Sequence, residues 1–114
     1  MALTLLLASV ASPLLAGQLL EGRPDDALTA TVSRNEPNLI RVDGGKIRRI
    51  HGVEGEFVVS ADRETGAAYL KPTTEQPQFS VFVADDAGRH WKLLLHTADI
   101  PAETLVIRDR TQAR

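Results

Sequence analysis

The sequence contains no cysteine. That excludes disulfide scaffolds, thiol catalysis and cysteine-based zinc or iron–sulfur sites. Aromatic residues are few, with Phe57, Tyr69, Phe79, Phe82 and Trp91 making up the whole set. A surplus of positive charge is also missing: 13 Lys and Arg stand against 15 Asp and Glu, a net charge of −2. Wholesale electrostatic binding to nucleic acid needs a basic surplus or a basic face, so no direct nucleic-acid role is expected. After residue 28 no stretch repeats with the 3.6-residue period of a helix. What is present is an ordinary globular composition, 43% hydrophobic and 25% charged over 114 residues. A chain of this length accommodates one domain with a modest core.

The first twenty residues differ from the rest. No charge occurs from Ala2 to Leu20, where Leu, Ala and Val dominate. A membrane-spanning helix needs about 20 apolar residues, and Pro13, Gly17 and Gln18 interrupt this run, so no transmembrane segment is expected. An apolar stretch followed by small residues fits a signal peptide over 1–16, with cleavage after Ala11 or Ala16, although the usual positively charged start is missing. The competing reading is a buried amphipathic helix. Residues 17–27 follow as a polar linker containing Gly22 and Pro24, and residues 109–114 read as a tail.

Between them, residues 28–108 break into short alternating runs. Leu28, Ala30 and Val32 alternate with Thr29, Thr31 and Ser33, the period of a half-buried strand. Further strands are predicted at 39–42, 46–51, 55–60, 67–71, 78–84, 89–96 and 105–108. Turn residues separate them: Arg34 to Asn38, Asp43-Gly44-Gly45 as a tight hairpin, Asp62 to Gly66, and Asp85 to Gly88. About eight short strands at this spacing predict an all-β fold, a small antiparallel β-sandwich. Alternation places Trp91, Leu93 and Leu95 inside, together with Phe57, Val59, Phe79, Val81, Val83, Leu105 and Ile107, and turns His90, Lys92, Leu94 and His96 outward. Ile47 and Ile50 break the alternation of their strand, which calls for a bulge near Arg48-Arg49 or an edge position.

Residues suited to chemistry are sparse. His90 and His96 share a face but lie about 20 Å apart at ~3.3 Å per residue, so they cannot share a metal. His51 with Glu54 is at most half a site. No metal, cofactor or catalytic residue is therefore assigned. Asp85-Asp86 and Asp62-x-Glu64 are paired carboxylates of the kind used in acid–base catalysis, yet both fall in hairpin turns, where Asp caps local backbone. Gly44-Gly45-Lys46 lacks the longer loop, the Ser or Thr and the helix of a phosphate loop. Arg41, Lys46, Arg48 and Arg49 place four of the thirteen basic residues within nine positions. They and His51 are the candidate partner interface, suited to an acidic surface. The other reading is charged protection of an edge strand against aggregation.

The pattern Ser33-x-x-x-Pro37-Asn38-x-Ile40-x-Val42-x-Gly44-Gly45-x-Ile47 resembles the start of the N-terminal domain of TraK proteins. Tyr69-Leu70-Lys71-Pro72-Thr73, Phe79-x-Val81-Phe82-Val83, Asp85-x-x-Gly88 and Asp99-Ile100-Pro101 continue the resemblance in the same order. It covers about residues 28–108, the first of that family's two β domains. The resemblance implies a secretin-like β-sandwich in the periplasm, a non-catalytic subunit of the outer-membrane core complex of an F-type conjugative type IV secretion system. It further implies a ring of like subunits and two partners, a TraV-like lipoprotein and a TraB-like scaffold. An exported AMIN-like module holding peptidoglycan is the alternative.

Overall fold

The computed structural model describes residues 17–112. The leader expected over 1–16 lies outside them. Nine strands follow in order: β1 (Gly17–Gly22), β2 (Ala27–Ser33), β3 (Asn38–Val42), β4 (Ile47–Gly52), β5 (Phe57–Asp62), β6 (Ala67–Pro72), β7 (Gln78–Asp85), β8 (His90–Ala98) and β9 (Thr104–Asp109), closed by a 3-10 turn at Arg110–Gln112. They build a five-stranded sheet, β1-β9-β3-β6-β5, and a four-stranded sheet, β2-β8-β7-β4. The predicted all-β sandwich is the fold.

Its pairing is not antiparallel throughout. β1 and β3 both run parallel to β9, and β2 runs parallel to β8. The cause is that successive strands mostly change sheets. Only β5–β6 and β7–β8 are neighbours both in sequence and in a ladder. Asp43-Gly44-Gly45 is accordingly a turn between sheets rather than the expected hairpin, because β3 and β4 belong to different layers. The hairpins at Asp62 to Gly66 and Asp85 to Gly88 do form.

Two segments read as irregular are part of the sheets. Residues 17–22, assigned to a linker, are β1, paired over six positions with β9. Gln18, Leu20 and Gly22 face the other sheet there, and Leu20 is the one large apolar side chain among them, so the alternation is too short to show in sequence. Asp109, assigned to the tail, is the last residue of β9 and is buried.

The core lies between the layers. Trp91, Leu93 and Leu95 of β8 are fully buried, as are Val81 and Val83 of β7, Ile40 of β3, Leu70 of β6, and Leu105 and Ile107 of β9. Each large apolar side chain removed from water in this way contributes roughly 1.5–3 kcal/mol before conformational entropy is charged against it. Phe57 is half-buried and stacks on Phe79 with ring centroids 5.8 Å apart. Val59 does not join the core: it is 39% exposed, because β5 is the outermost strand of its sheet and nothing covers the rim there. On β4 the register shifts between Ile47 and Arg49. This bulge brings Ile47 and Ile50 onto the same face, and both pack on the core.

Candidate docking surface

Of the carboxylates suited to acid–base chemistry, Asp62, Asp85 and Asp86 are engaged in structure and Glu64 is exposed. Asp62 caps its turn, accepting from the amides of Glu64 and Thr65. Asp85 is buried and accepts four hydrogen bonds. The amides of Ala87 (3.0 Å) and Arg89 (2.9 Å) reach Oδ1, while Arg89 Nε (2.8 Å) and Trp91 Nε1 (3.1 Å) reach Oδ2. Burial pushes the Asp85 pKa up, but the Trp91 indole, the Arg89 amide and guanidinium and the Ala87 amide outweigh it and hold the carboxyl below its ordinary range. Such a group holds no proton to exchange near neutral pH. Among the described residues, no cluster of His, Asp and Glu is placed to hold a metal ion, and no helix is long and apolar enough to cross a membrane.

The sheet edges carry more information. Side-chain amides occupy the outer edge of β2. Gln18 donates from Nε2 to the carbonyl of Thr31 (2.6 Å) and accepts the Thr31 amide at Oε1 (3.0 Å). Asn38 does the same for Ser33, accepting its amide at 2.8 Å and donating to its carbonyl at 3.1 Å. Two amides thus stand where another strand would lie. Asn38, fully buried, also donates to the carbonyls of Glu36 and Leu70 and accepts the amide of Glu103. This gives the Ser33-x-x-x-Pro37-Asn38 pattern a physical reason. The opposite edge of the same sheet, β4, has a strand partner only in β7. On its far side one backbone bond is made, from the Ile47 amide to the Gly66 carbonyl.

The five candidate interface residues do not form one surface. Arg41 lies on the outer face of the five-stranded sheet, in register with Val106. Lys46 sits in the turn before β4, its amide bonded to Asp86 Oδ1 and its carbonyl to the Asp86 amide. Arg48, Arg49 and His51 are exposed on β4, with Arg49 Nη1 donating to His51 Nε2 across 3.5 Å.

The register then adds residues that are distant in sequence. Arg49 pairs with Ala84 and Ala84 with His90, while His51 pairs with Phe82 and Phe82 with Lys92. Two rows, Arg49–Ala84–His90 and His51–Phe82–Lys92, therefore cross the outer face of the four-stranded sheet. Phe82 is 45% exposed, and Lys92 Nζ lies 5.9 Å from its ring centroid, a cation–π contact. Arg48, Arg49 and His51 also border a shallow depression of about 230 Å³ with His90. Among the described residues, none of Arg48, Arg49 and Lys92 forms a salt bridge, whereas Arg34, Arg89 and Arg108 each do. Composition hid this face, because its positive charge is offset elsewhere on the molecule. The basic run on β4 and the period-two pattern of β8 each showed half of it, and only the pairing through β7 joins them. On the other sheet, an apolar groove of about 530 Å³ runs past Pro37, Val58, Val59 and Tyr69 and brings together no cluster of charge.

Compared with known proteins, the chain matches the family model of the TraK N-terminal domain over residues 21–114. No curated protein matches it.

Proposed function

The chain belongs to the TraK N-terminal domain family, which makes it a protein of conjugative transfer, and from that premise we propose that it is a non-catalytic structural subunit of a type IV secretion outer-membrane core complex. It works in the periplasm, in a ring of like subunits beside a TraV-like lipoprotein and a TraB-like scaffold.

The observation that carries this reading is the contrast between occupied and open elements. Three of the four acid–base candidates, Asp62, Asp85 and Asp86, are engaged by turns and by the buried network around Asp85, while β4 has a strand partner only in β7 and one backbone bond on its far side. A free strand edge offers backbone N–H and C=O groups to another chain. Exposed cations beside it steer association and lose strength with salt. Arg48, Arg49 and His51 supply that charge, with Lys46 at the entrance to the strand and Arg41 on the other face.

The test is co-purification of the tagged chain with the assembled complex. Reversing Arg48 and Arg49 to Glu is expected to leave the thermal transition unchanged and to reduce incorporation, most visibly at low salt. Normal incorporation of the double variant would reduce β4 to a protected edge. Retention on peptidoglycan sacculi in place of the complex would favour the AMIN-like alternative.

A further inference from the structure

We propose that the β4 edge and the outer face of the four-stranded sheet receive an extended acidic polypeptide segment with a carboxylate at every second residue. The proposal rests on the assembly reading only in taking the partner to be a polypeptide.

Charge is the first support. The outward positions of β2, β4, β7 and β8 hold no Asp or Glu, although the chain carries 15 of them. The same face holds Arg48, Arg49 and Lys92 and all three histidines, His51, His90 and His96. A molecule of net charge −2 thus presents one face whose ionisable side chains are all basic. Complementary charge is what an interface uses to select a partner and fix its register.

Geometry is the second. Of the two edges of this sheet, β2 has the amides of Gln18 and Asn38 set against Thr31 and Ser33, while β4 makes one backbone bond on its far side, at Ile47, and is open beyond it. An added strand would lie about 4.8 Å from β4, with its alternate side chains about 6.6 Å apart on the outer face. That repeat matches Arg49 and His51, which stand two residues apart. Acidic side chains at every second position would come to rest beside them, and cross-strand pairs of opposite charge stabilise a ladder. Nucleic acid fits less well. Single strands are held by bases stacked on successive aromatic rings, and this face offers Phe82 alone.

The test uses the full chain and a fluorescent synthetic peptide of alternating aspartate and threonine. Its controls are a peptide of the same composition with the aspartates in one block, an alternating lysine–threonine peptide and an oligothymidylate. The alternating acidic peptide is expected to bind about tenfold more tightly than the block peptide, to lose at least about that factor with Arg48→Glu or Arg49→Glu, and to weaken with salt. On saturation, amide exchange is expected to slow at Arg48 to Gly52. Equal binding of the two acidic peptides, or no effect of either substitution, would overturn the proposal. Tighter binding of the oligothymidylate would reassign the face to nucleic acid. A chain that fails here yet enters the complex keeps the assembly role and loses the acidic segment. One that binds the peptide but never enters the complex does the reverse.

Discussion

The guanidinium of Arg89 donates from Nη1 to Asp109 Oδ2 at 3.0 Å, and that bond ties the β7–β8 hairpin of one sheet to the last strand of the other. Through Nε the same side chain holds Asp85, which in turn accepts from the indole of Trp91. Two carboxylates, one guanidinium and one indole therefore close the end of the sandwich. No buried side-chain polar atom among the described residues lacks a partner. A satisfied network of this kind is costly to break from one side, because the remaining charge stays buried.

Asp85→Asn is expected to destabilise the domain by about 3–5 kcal/mol, a large share of the roughly 5–15 kcal/mol typical of a small domain. Urea denaturation at equilibrium measures it. Glu64→Gln, exposed in the other hairpin, is expected to stay within about 0.5 kcal/mol.

Acid is expected to unfold the protein through the same groups. Burial alone raises the Asp85 pKa, but the Trp91 and Ala87 donors and Arg89 bring it below its ordinary value of 3.8. Asp109 is lowered first by Thr111, against burial, and then by Arg89. Carboxyls with a depressed folded-state pKa are protonated more readily in the unfolded chain. Their stabilisation is therefore complete above the unfolded value and is lost as pH falls through the folded one. Denaturation midpoints taken from about pH 6 down to about pH 2.5 should fall steeply, and less steeply in Asp85→Asn.

Asn38→Asp tests the amide at the centre of the β2–β3 turn. The new carboxylate could still accept from Ser33 and Glu103, but an oxygen would replace the nitrogen that now faces the carbonyls of Ser33, Glu36 and Leu70. A loss of at least about 3 kcal/mol at neutral pH is expected. Mild acidification should recover part of it by restoring a donor, opposite to the trend of the wild-type protein.

Gly66→Ala separates backbone conformation from close approach. Gly66 has φ +79°, and a Cβ there would overlap Lys46 Cγ and lie 2.9 Å from Lys46 Cα. Gly55 has φ +92° with nothing within 4 Å of such a Cβ. Both alanine variants bear the cost of the left-handed backbone, roughly 1–2 kcal/mol. The Gly66 variant should melt lower than the Gly55 variant, by the amount the β4 entrance must shift.

The strands that declared themselves in sequence are those whose two faces differ in polarity along their whole length. In β8, Trp91, Leu93 and Leu95 face a core and His90 and Lys92 face water, so alternation sufficed. The bulge on β4 was legible because Ile47 and Ile50 cannot otherwise share a face. β1 was not, since Leu20 is its one large apolar inward side chain and its pairing depends on β9, more than eighty residues on. Parallel pairing was hidden for the same reason: turn residues report on neighbours in sequence, and here most neighbours part to different sheets. The basic cluster shows the converse error. Arg41 and Arg49 are close in sequence yet lie on different sheets, whereas Arg49 and His90 are far apart in sequence and share one row.

The Gln18 and Asn38 amides give the four-stranded sheet a valence of one. In polymer terms it is a monofunctional monomer: it can couple once, through β4, and has no second reactive end from which a chain of sheets could grow. Two copies meeting at β4 would terminate each other as a closed pair, and a copy coupled to a foreign strand would terminate there. Fibre growth through this sheet is thereby blocked, while its single coupling position stays available to a partner.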